Sequence, residues 1–255
     1  MARLFNKNKI RQVRARARGD MMDFFVWAHR GAAADAPENT LVAFSAAEAA
    51  GADGIELDVH LSRDGVPVVI HDERVERTTD GRGAVAELRL AELRRLDAGS
   101  WFDPRFAGEP IPVLEEVLDW AGDRLRLNIE IKDAAAGRAL LELLPRYPRA
   151  RVLVSSFNHR LLEGLRRAEP CLPLGFLFEE EGWHRVLRRA LACGAESLHP
   201  REDRISRPLL AACKRAGLAV YPWTVDDPGR IRALRRLGID GLFTNDPLAV
   251  VRQRN

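Results

Sequence analysis

The chain has 255 residues, 46% of them hydrophobic, which is enough for one large core and fits the single-domain α/β barrels of about 250 residues. No run of 18 apolar residues occurs, so we expect no transmembrane segment. The formal net charge is +3, but residues 1–20 carry seven basic residues and one acid, which leaves 21–255 slightly acidic and argues against a strongly basic binding face.

Residues 1–22 are predicted to be a basic, disordered extension in front of one domain at 23–255. The extension lacks the apolar segment of a secretory signal, so a cytoplasmic protein with reduced cysteines is expected. A nucleic-acid or membrane-surface arm is an alternative, and so is a translation start at Met21 or Met22. Basic residues without aromatics give bases nothing to stack on, so no nucleic-acid partner is expected. The three cysteines lack the CxxC spacing of a zinc site.

From residue 24 onward, strand-like runs alternate with helical patterns. The predicted strands lie at 24–28, 54–59, 126–132, 151–156, 173–178, 195–199, 218–224 and 241–244. The predicted helices lie at 39–50, 113–121, 136–146, 159–168, 183–193, 206–216 and 228–237. Eight strands separated by helices predict an α/β fold, a closed parallel (β/α)8 TIM barrel. A doubly wound open sheet is the alternative, which the lack of a Gly-rich phosphate loop after the first strand disfavours.

Two segments interrupt this alternation. Residues 66–70 follow the second strand after a turn containing Asp-Gly, a hairpin signal, so we predict an antiparallel return strand. Residues 73–112 then form a long insertion with a short helical pattern at 88–96, and we expect a small cap over the barrel mouth. The first helix has a clear start signal, for which Asn39 is the predicted N-cap.

Four clusters of ionisable residues end or follow the apolar strand segments. They are His29-Arg30, Glu56-Leu57-Asp58, His71-Asp72 and Glu130-Ile131-Lys132. Residues i and i+2 of a strand share a face, so Glu56 and Asp58 point the same way, and Glu130 points with Lys132. Three carboxylates that face one point repel each other unless a cation joins them, and hard oxygen ligands suit Mg²⁺ or Ca²⁺. Two histidines and two permanent cations nearby indicate acid/base chemistry on a phosphate.

Residue choice strengthens one of these candidates. Only four of the 40 basic residues are lysine, so Lys132 indicates a site that needs a compact positive charge, with a Glu–Lys pair inside the barrel as the alternative. Arg30 is predicted to contact phosphate, and a pair with Glu38 is its alternative. Trp223 ends the seventh strand and is predicted to line a substrate pocket.

The remaining polar candidates are weaker. His199 ends a predicted strand, which makes a substrate contact a candidate role. No pattern supports a function for His60, His159 or His184, and we expect them to face solvent or loops. The segment 244–247 is predicted to close the barrel or to orient a reacting group.

These motifs, in this order and spacing, resemble the glycerophosphodiester phosphodiesterase family, and most of all its short cytoplasmic bacterial members. The likeness covers about residues 25–250. It runs through Ala28-His-Arg-Gly, Pro37-Glu-Asn-Thr, Ile55-Glu-Leu-Asp-Val, His71-Asp, Glu76-Arg-Thr-Thr, Asp97-Ala-Gly-Ser-Trp, Asn128-Ile-Glu-Ile-Lys, Ser155-Ser-Phe, Trp223-Thr-Val and Thr244-Asn-Asp-Pro.

The resemblance implies a small-molecule substrate: a glycerophosphodiester such as glycerophosphocholine, hydrolysed to sn-glycerol 3-phosphate and an alcohol. It also implies one divalent cation, Mg²⁺ or Ca²⁺. Carried over by position, the implied residues are Glu56, Asp58 and Glu130 for the cation, His29 and His71 for acid/base catalysis, Arg30 and Lys132 for phosphate, and Phe157 and Trp223 for the pocket wall.

Two other functions stay open at this point. Lysophospholipase D-like hydrolysis on the same site would need an apolar channel for an acyl chain, for which the candidates are Leu174, Phe176, Phe178 and Trp183. The non-enzyme alternative is a barrel that only binds phosphate ligands, and the complete set of two histidines and three carboxylates argues against it.

Overall fold

A computed structural model of the protein describes residues 24–180 and 182–254, so the predicted extension at 1–22 lies outside the described residues. The strands are β1 Phe25–Ala28, β2 Gly54–Leu61, β3 Pro67–Val69, β4 Arg126–Ile131, β5 Arg151–Ser156, β6 Leu174–Phe178, β7 Ser197–Pro200, β8 Ala219–Val220 and β9 Gly241–Thr244. The α-helices are α1 Leu41–Ala49, α2 Leu90–Leu93, α3 Leu114–Ala121, α4 Ala134–Leu143, α5 His159–Ala168, α6 Trp183–Ala192, α7 Arg207–Ala216, α8 Pro228–Leu237 and α9 Pro247–Arg252.

Eight of these strands form a nearly closed parallel barrel in the order β8-β7-β6-β5-β4-β2-β1-β9. The ends of this row are joined by backbone hydrogen bonds from Phe243 N to Pro222 O and from Val225 N to Phe243 O, both 2.9 Å. The predicted TIM barrel is therefore confirmed. The predicted return strand also forms, because β3 pairs antiparallel with β2 and places Val69 opposite Val59.

Strand residues alternate between two hydrophobic cores. Outward-facing residues such as Ile55 and Ile129 pack with helix residues, including Phe44 of α1, in one large cluster between barrel and helices. Inward-facing residues form a second cluster inside the barrel, made of Trp27, Leu153, Tyr221 and Phe243. Gly54 makes room for the fully buried indole, since a Cβ at that position would lie 2.5 Å from the Trp27 ring. The barrel interior is therefore a packed core below the site, as in other TIM barrels.

The insertion at 73–112 has a small hydrophobic core of its own, shared with β3. Its buried members are Val68, Ile70, Val75, Val85, Leu93, Ala98 and Ile111. Hydrogen bonds from Arg77 to Glu38 and from Arg105 to the Asp35 carbonyl join the insertion to the loop that follows β1. The insertion therefore contacts the carboxyl edge of the barrel, where the site residues lie.

Several predicted boundaries are wrong for local reasons. Thr40, not Asn39, is the N-cap of α1, because its Oγ1 accepts from Ala43 N while Asn39 adopts a left-handed conformation with φ of +60°. The predicted strand at 218–224 shortens to β8, since Pro222 has no N–H to give to a ladder. Within the described residues, no helix is both long and apolar enough to cross a membrane.

Candidate active site

Three carboxylates meet at the carboxyl end of β2 and β4. The parallel register sets Asp58 opposite Glu130 and Glu56 opposite Asn128. All three acids are buried, and one ligand oxygen from each lies within 4.8 Å of the others. The i, i+2 spacing in the sequence thus places the carboxylates on one face, as predicted.

The three acids differ in how their charge is balanced. Asp58 contacts Lys132 Nζ at 2.9 Å and Arg30 Nε at 3.2 Å, and Asn39 Nδ2 donates to it at 2.9 Å. Burial alone would raise the pKa of Asp58, but Lys132 and Arg30 hold it well below its usual range. The carboxylate of Glu130 lies 2.5 Å from Lys132 Nζ, yet burial raises its pKa to about 7.

Glu56 carries the observation that points to a cation. Its Oε2 accepts from Arg30 N at 2.9 Å, but its Oε1 is buried without a hydrogen-bond partner. Burial and the neighbouring Asp58 charge raise the pKa of Glu56 well above its usual value. A buried carboxylate oxygen without a donor is costly, and a hard cation among three carboxylates would satisfy it. The residues present therefore fit a divalent cation.

His29 is held by a chain of polar groups that fixes its tautomer. Its Nδ1 lies 2.8 Å from Asn245 Oδ1, and the Asn245 amide donates through Nδ2 to Asp226 Oδ2 at 2.7 Å. The carboxylate can only accept, so the amide oxygen must face the histidine and Nδ1 must carry the proton. Burial, helped by the adjacent Arg30 charge, lowers the pKa of His29 to about 4. The neutral ring therefore presents an unprotonated Nε2.

His71 is held by a carboxylate instead of an amide. Its Nδ1 lies 2.6 Å from Asp72 Oδ1, so Nδ1 donates and Nε2 is again the free nitrogen. Burial lowers the pKa of His71, while Asp58 and Asp72 act in the opposite direction. The two histidines thus have different partners, a neutral amide and a charged carboxylate, which is how proteins assign different acid/base roles.

These groups surround one cavity of about 70 Å³ that opens to solvent. Its lining residues are His29, Arg30, Glu56, His71, Asn128, Glu130, Lys132, Phe157, Leu177, Trp223 and Phe243. The rings of Phe157 and Trp223 meet edge to face with centroids 5.4 Å apart, and Trp223 Nε1 donates to His199 O at 2.8 Å. Of the nine predicted site residues, eight line the cavity, and Asp58 lies behind them in contact with Arg30 and Lys132.

Both predicted phosphate-binding residues are paired with acids of the site. Arg30 Nη1 bonds Glu38 at 2.8 Å, so the alternative pairing raised by the sequence forms, and its Nε also contacts Asp58. The Lys132 ammonium likewise lies between Asp58 and Glu130. Both cations border the cavity, where an anion could reach them.

The structure does not support the candidate role of His199, and the expectation for His159 is wrong. The His199 ring is fully buried inside the barrel, bonded to Ser197 and packed against Tyr221 and Phe243, instead of reaching the cavity. His159 is also buried, and its Nε2 contacts the Leu177 carbonyl of β6. His60 is buried too, but it faces a loop as expected, because its Nε2 contacts the His71 carbonyl after β3. The residue type and its position in the sequence do not show which backbone carbonyl a histidine will contact. His184 is exposed, as expected.

The candidate acyl-channel residues do not line the cavity. Leu174, Phe176 and Phe178 belong to the cluster between barrel and helices, and each is buried there. Trp183 packs against the same cluster at the start of α6. The period of two in β6 explains this, because these alternate positions share the outer face. An apolar channel built from these residues is therefore absent from the described structure.

Three polar residues were not predicted as site residues from the sequence. Asn39 bonds Asp58 through its side chain, Asp226 orients Asn245, and Arg77 bonds both Asp72 and Glu38. Asn39 and Arg77 lie inside motifs noted above, where Asn39 was predicted only as a helix cap and Arg77 was given no role. Asp226 follows Trp223-Thr-Val, and only the barrel closure brings it beside Asn245.

Comparison with known proteins identifies relatives. A family model described as the glycerophosphoryl diester phosphodiesterase family matches residues 29–249. A glycerophosphodiester phosphodiesterase of Caldanaerobacter subterraneus subsp. tengcongensis is 42% identical over 240 residues, which is 90% of this chain and 97% of the relative. A glycerophosphodiester phosphodiesterase of Bacillus subtilis is 32% identical over 245 residues, with 86% of this chain and 83% of the relative covered.

Solved structures with a similar fold belong to the same group of enzymes as the relatives found by sequence. An Oleispira antarctica phosphodiesterase in complex with the product sn-glycerol-3-phosphate has a TM-score of 0.82 and 32% identity, covering 89% of this chain and 95% of that one. A glycerophosphodiester phosphodiesterase of Thermotoga maritima has a TM-score of 0.78 and 32% identity, covering 90% and 98%. Sequence and shape thus point to one group of enzymes.

Proposed function

This chain belongs to the glycerophosphoryl diester phosphodiesterase family and is a phosphodiesterase, and we propose that it hydrolyses glycerophosphodiesters to sn-glycerol 3-phosphate and an alcohol with a divalent cation. The observation that carries this proposal is the convergence of Glu56, Asp58 and Glu130 with His29 and His71 around one cavity. Its substrates would be deacylated phospholipid head groups, such as glycerophosphocholine and glycerophosphoethanolamine.

Charge balance supports a phosphodiester bound together with a dication. Glu56, Asp58 and Glu130 would hold Mg²⁺ or Ca²⁺, and the bound ion would neutralise charge that develops on the phosphate oxygens. The three acids outnumber Arg30 and Lys132 by one charge, and Glu38, which pairs with Arg30, adds another negative charge, so a bound dication would offset the negative excess before an anionic diester enters. Arg30 and Lys132 would then donate to the phosphate oxygens.

His29 would act as the general base. Its Nε2 keeps a lone pair, because Nδ1 donates to Asn245, and burial keeps the ring neutral. It would accept the proton of the attacking hydroxyl as the new P–O bond forms. The nucleophile is either water or the glycerol hydroxyl of the substrate. We favour the hydroxyl, which would displace the alcohol and form a cyclic phosphate that water then opens to sn-glycerol 3-phosphate. Phosphorus NMR during turnover would detect that cyclic product.

His71 would act as the general acid. It would enter the reaction with both ring nitrogens protonated, a form that the Asp72 carboxylate on Nδ1 favours. Its Nε2 would give a proton to the alcohol oxygen as the old P–O bond breaks, which leaves the ring neutral. Each such acid/base role contributes typically about 10²–10⁴-fold to the rate.

The aromatic side of the cavity would receive the rest of the substrate. Phe157 and Trp223 form one wall, and 42% of Phe157 remains exposed, so this side opens to solvent. We expect the alcohol part to project outward there, which predicts tolerance of several head groups. Purified protein that accepted only one head group would contradict this expectation.

The test is release of sn-glycerol 3-phosphate from glycerophosphocholine, with EDTA or with added Mg²⁺ or Ca²⁺. We expect release that requires a cation, and a loss of about 10²–10⁴-fold in His29→Ala. His184→Ala is the matched control, because that histidine is exposed on the helix α6 and lies outside the cavity.

Two results would overturn the proposal. Cleavage of lysophosphatidylcholine without cleavage of glycerophosphocholine would move the assignment to a lysophospholipase D-like reaction. Inactivity on both substrates with either cation would indicate a pocket that only binds phosphate ligands.

A further inference from the structure

Arg77, in the insertion, lies between two carboxylates and bonds both. Its Nε and Nη2 donate to Asp72 at 2.6 and 3.0 Å, and its Nη1 and Nη2 donate to Glu38 at 2.9 and 2.8 Å. One guanidinium thus makes four hydrogen bonds to two acids that are 34 residues apart in the chain. A planar guanidinium suits such paired contacts, whereas an ammonium offers only a point charge.

Each of these acids holds a different residue of the cavity. Asp72 Oδ1 receives the His71 Nδ1–H at 2.6 Å, and Glu38 Oε1 receives Arg30 Nη1 at 2.8 Å. Arg77 therefore connects the loop after β3, which carries the histidine, with the loop after β1, which carries the arginine. Arg77 itself does not line the cavity.

Arg77 stabilises the charged form of both acids. Hydrogen bonds from Arg77 lower the pKa of Asp72 to about 2, and Arg77 and Arg30 together lower the pKa of Glu38 although burial opposes them. The Arg77 side chain is 44% exposed, so a lone ion pair there would contribute little to stability. Arg77 makes four hydrogen bonds to two acids, and each acid holds a cavity residue. These contacts indicate that Arg77 orients His71 and Arg30 through the two acids.

We propose that Arg77 is a positioning residue, which fixes the His71 ring through Asp72 and the Arg30 guanidinium through Glu38 so that both face the same substrate phosphate. This inference rests on the proposed function, because it concerns the two groups assigned to the leaving oxygen and to the phosphate. It also gives the insertion a part in the reaction, since it supplies the guanidinium that joins the two loops.

The first test compares Arg77→Ala and Arg77→Lys with Arg74→Ala as matched control. Arg74 lies three residues earlier in the same segment and forms an ion pair with the exposed Glu76, away from the cavity. We expect Arg77→Ala to lower kcat by about 10–100-fold, the scale of a small misplacement of reacting groups, with a smaller change in KM. Arg77→Lys should recover little, since it cannot make both paired contacts, and Arg74→Ala should keep wild-type kcat.

Added guanidinium ion should restore part of the Arg77→Ala rate but not raise the Arg74→Ala rate, because the vacated place is open to solvent. Thermal unfolding of each variant distinguishes a lower kcat in the folded enzyme from a lower kcat caused by unfolding. A wild-type kcat in Arg77→Ala, or equal losses in both alanine variants, would overturn the inference.

The second test does not depend on activity. Nitrogen-15 NMR of the imidazoles reports which ring nitrogen of His71 carries the proton, and we expect Nδ1–H in the wild type and a mixture of tautomers in Arg77→Ala. An unchanged His71 signal would overturn the inference. If the wild-type enzyme released no product from a glycerophosphodiester, the proposed function would fail, and this NMR comparison would still decide the role of Arg77.

Discussion

The backbone at two site residues adopts an uncommon conformation. Among the non-glycine residues of the described chain, Arg30 and Asn39 have positive φ values, 55° and 60°. Asparagine tolerates this region better than most residues. The turn lets the Asn39 side chain donate to Asp58 Oδ2 at 2.9 Å and accept from Asp58 N at 3.2 Å. Local strain of this kind collects at functional sites, and here it fixes one acid of the carboxylate trio.

Glu56 gives a prediction at the residue scale. Glu56→Gln removes one of three buried carboxyl groups, whose charged form is disfavoured there, and can still accept from Arg30 N, so the metal-free protein should become more stable. Each kcal/mol recovered should raise the Tm by about 2–4 °C. The same change should reduce the stabilisation by added cation, which for a site at 100 times its Kd is about 2.7 kcal/mol. Thermal unfolding in EDTA and in a Mg²⁺ or Ca²⁺ series measures both effects.

An exposed acid provides the comparison for this experiment. Glu142→Gln on α4 makes the same chemical change away from the trio, and it should alter neither the metal-free Tm nor the cation effect. A Glu56→Gln protein that responded to cations as strongly as the wild type would exclude Glu56 as a ligand.

Two helix glycines give a prediction at the scale of elements. In α5, a Cβ at Gly164 would meet only an Arg167 nitrogen at 3.8 Å, so Gly164→Ala should stabilise the protein by about 0.5–1 kcal/mol. In α4, a Cβ at Gly137 would lie 3.0 Å from Leu161, where the two helices approach closely. Gly137→Ala should therefore stabilise the protein less than Gly164→Ala does, or destabilise it. Urea unfolding of the two variants would measure the difference. Equal gains at both positions would contradict the close packing of α4 on α5.

The packing of the insertion could not be predicted from the sequence, although its position could. Its length and position were predicted from the sequence, and its short helix forms at Leu90–Leu93. Its packing depends on apolar residues spread from β3 to residue 111, which carry no periodic pattern. The contact of Arg77 with Glu38 depends in turn on how this small core docks beside the barrel.

At the scale of the whole molecule, the buried His199 should make stability depend on pH. Burial lowers its pKa to about 3, so below about pH 6.5 the unfolded chain binds a proton that the folded protein does not. As the pH is lowered from about 6.5 to about 3, the free energy of unfolding should therefore fall by about 1.4 kcal/mol per pH unit from this histidine alone. His199→Gln should remove this contribution to the pH dependence of the free energy of unfolding, which urea unfolding between pH 5 and 8 measures.

Ser197→Ala is the matched control for this prediction. It removes the 2.8 Å contact with His199 but leaves the titrating ring in the barrel, so it should lower stability at every pH without changing the slope. If His199→Gln kept the acid slope of the wild type, the dependence would arise elsewhere.

The sequence alone determined the barrel and most of the residues that meet at the candidate site. Strand and helix periods are local, so eight strand segments, their helices and the shared face of Glu56 and Asp58 followed from spacing. The residue types at the strand ends then indicated carboxylates for a cation and histidines for proton transfer. Local patterns failed for His159 and His199, because the Leu177 carbonyl that His159 contacts and the aromatic rings around His199 are brought near only by the fold.

Only the tertiary structure decided how the site groups are held. Asn245 reaches His29 across 216 residues because β9 pairs with β1, and that contact fixes which ring nitrogen keeps its lone pair. Arg77 joins Glu38 and Asp72 because the insertion docks against the loop after β1. Such contacts depend on barrel closure and on left-handed backbone turns, and neither leaves a period in the sequence. The sequence thus supplies the chemical groups, and the closed barrel sets their partners and protonation.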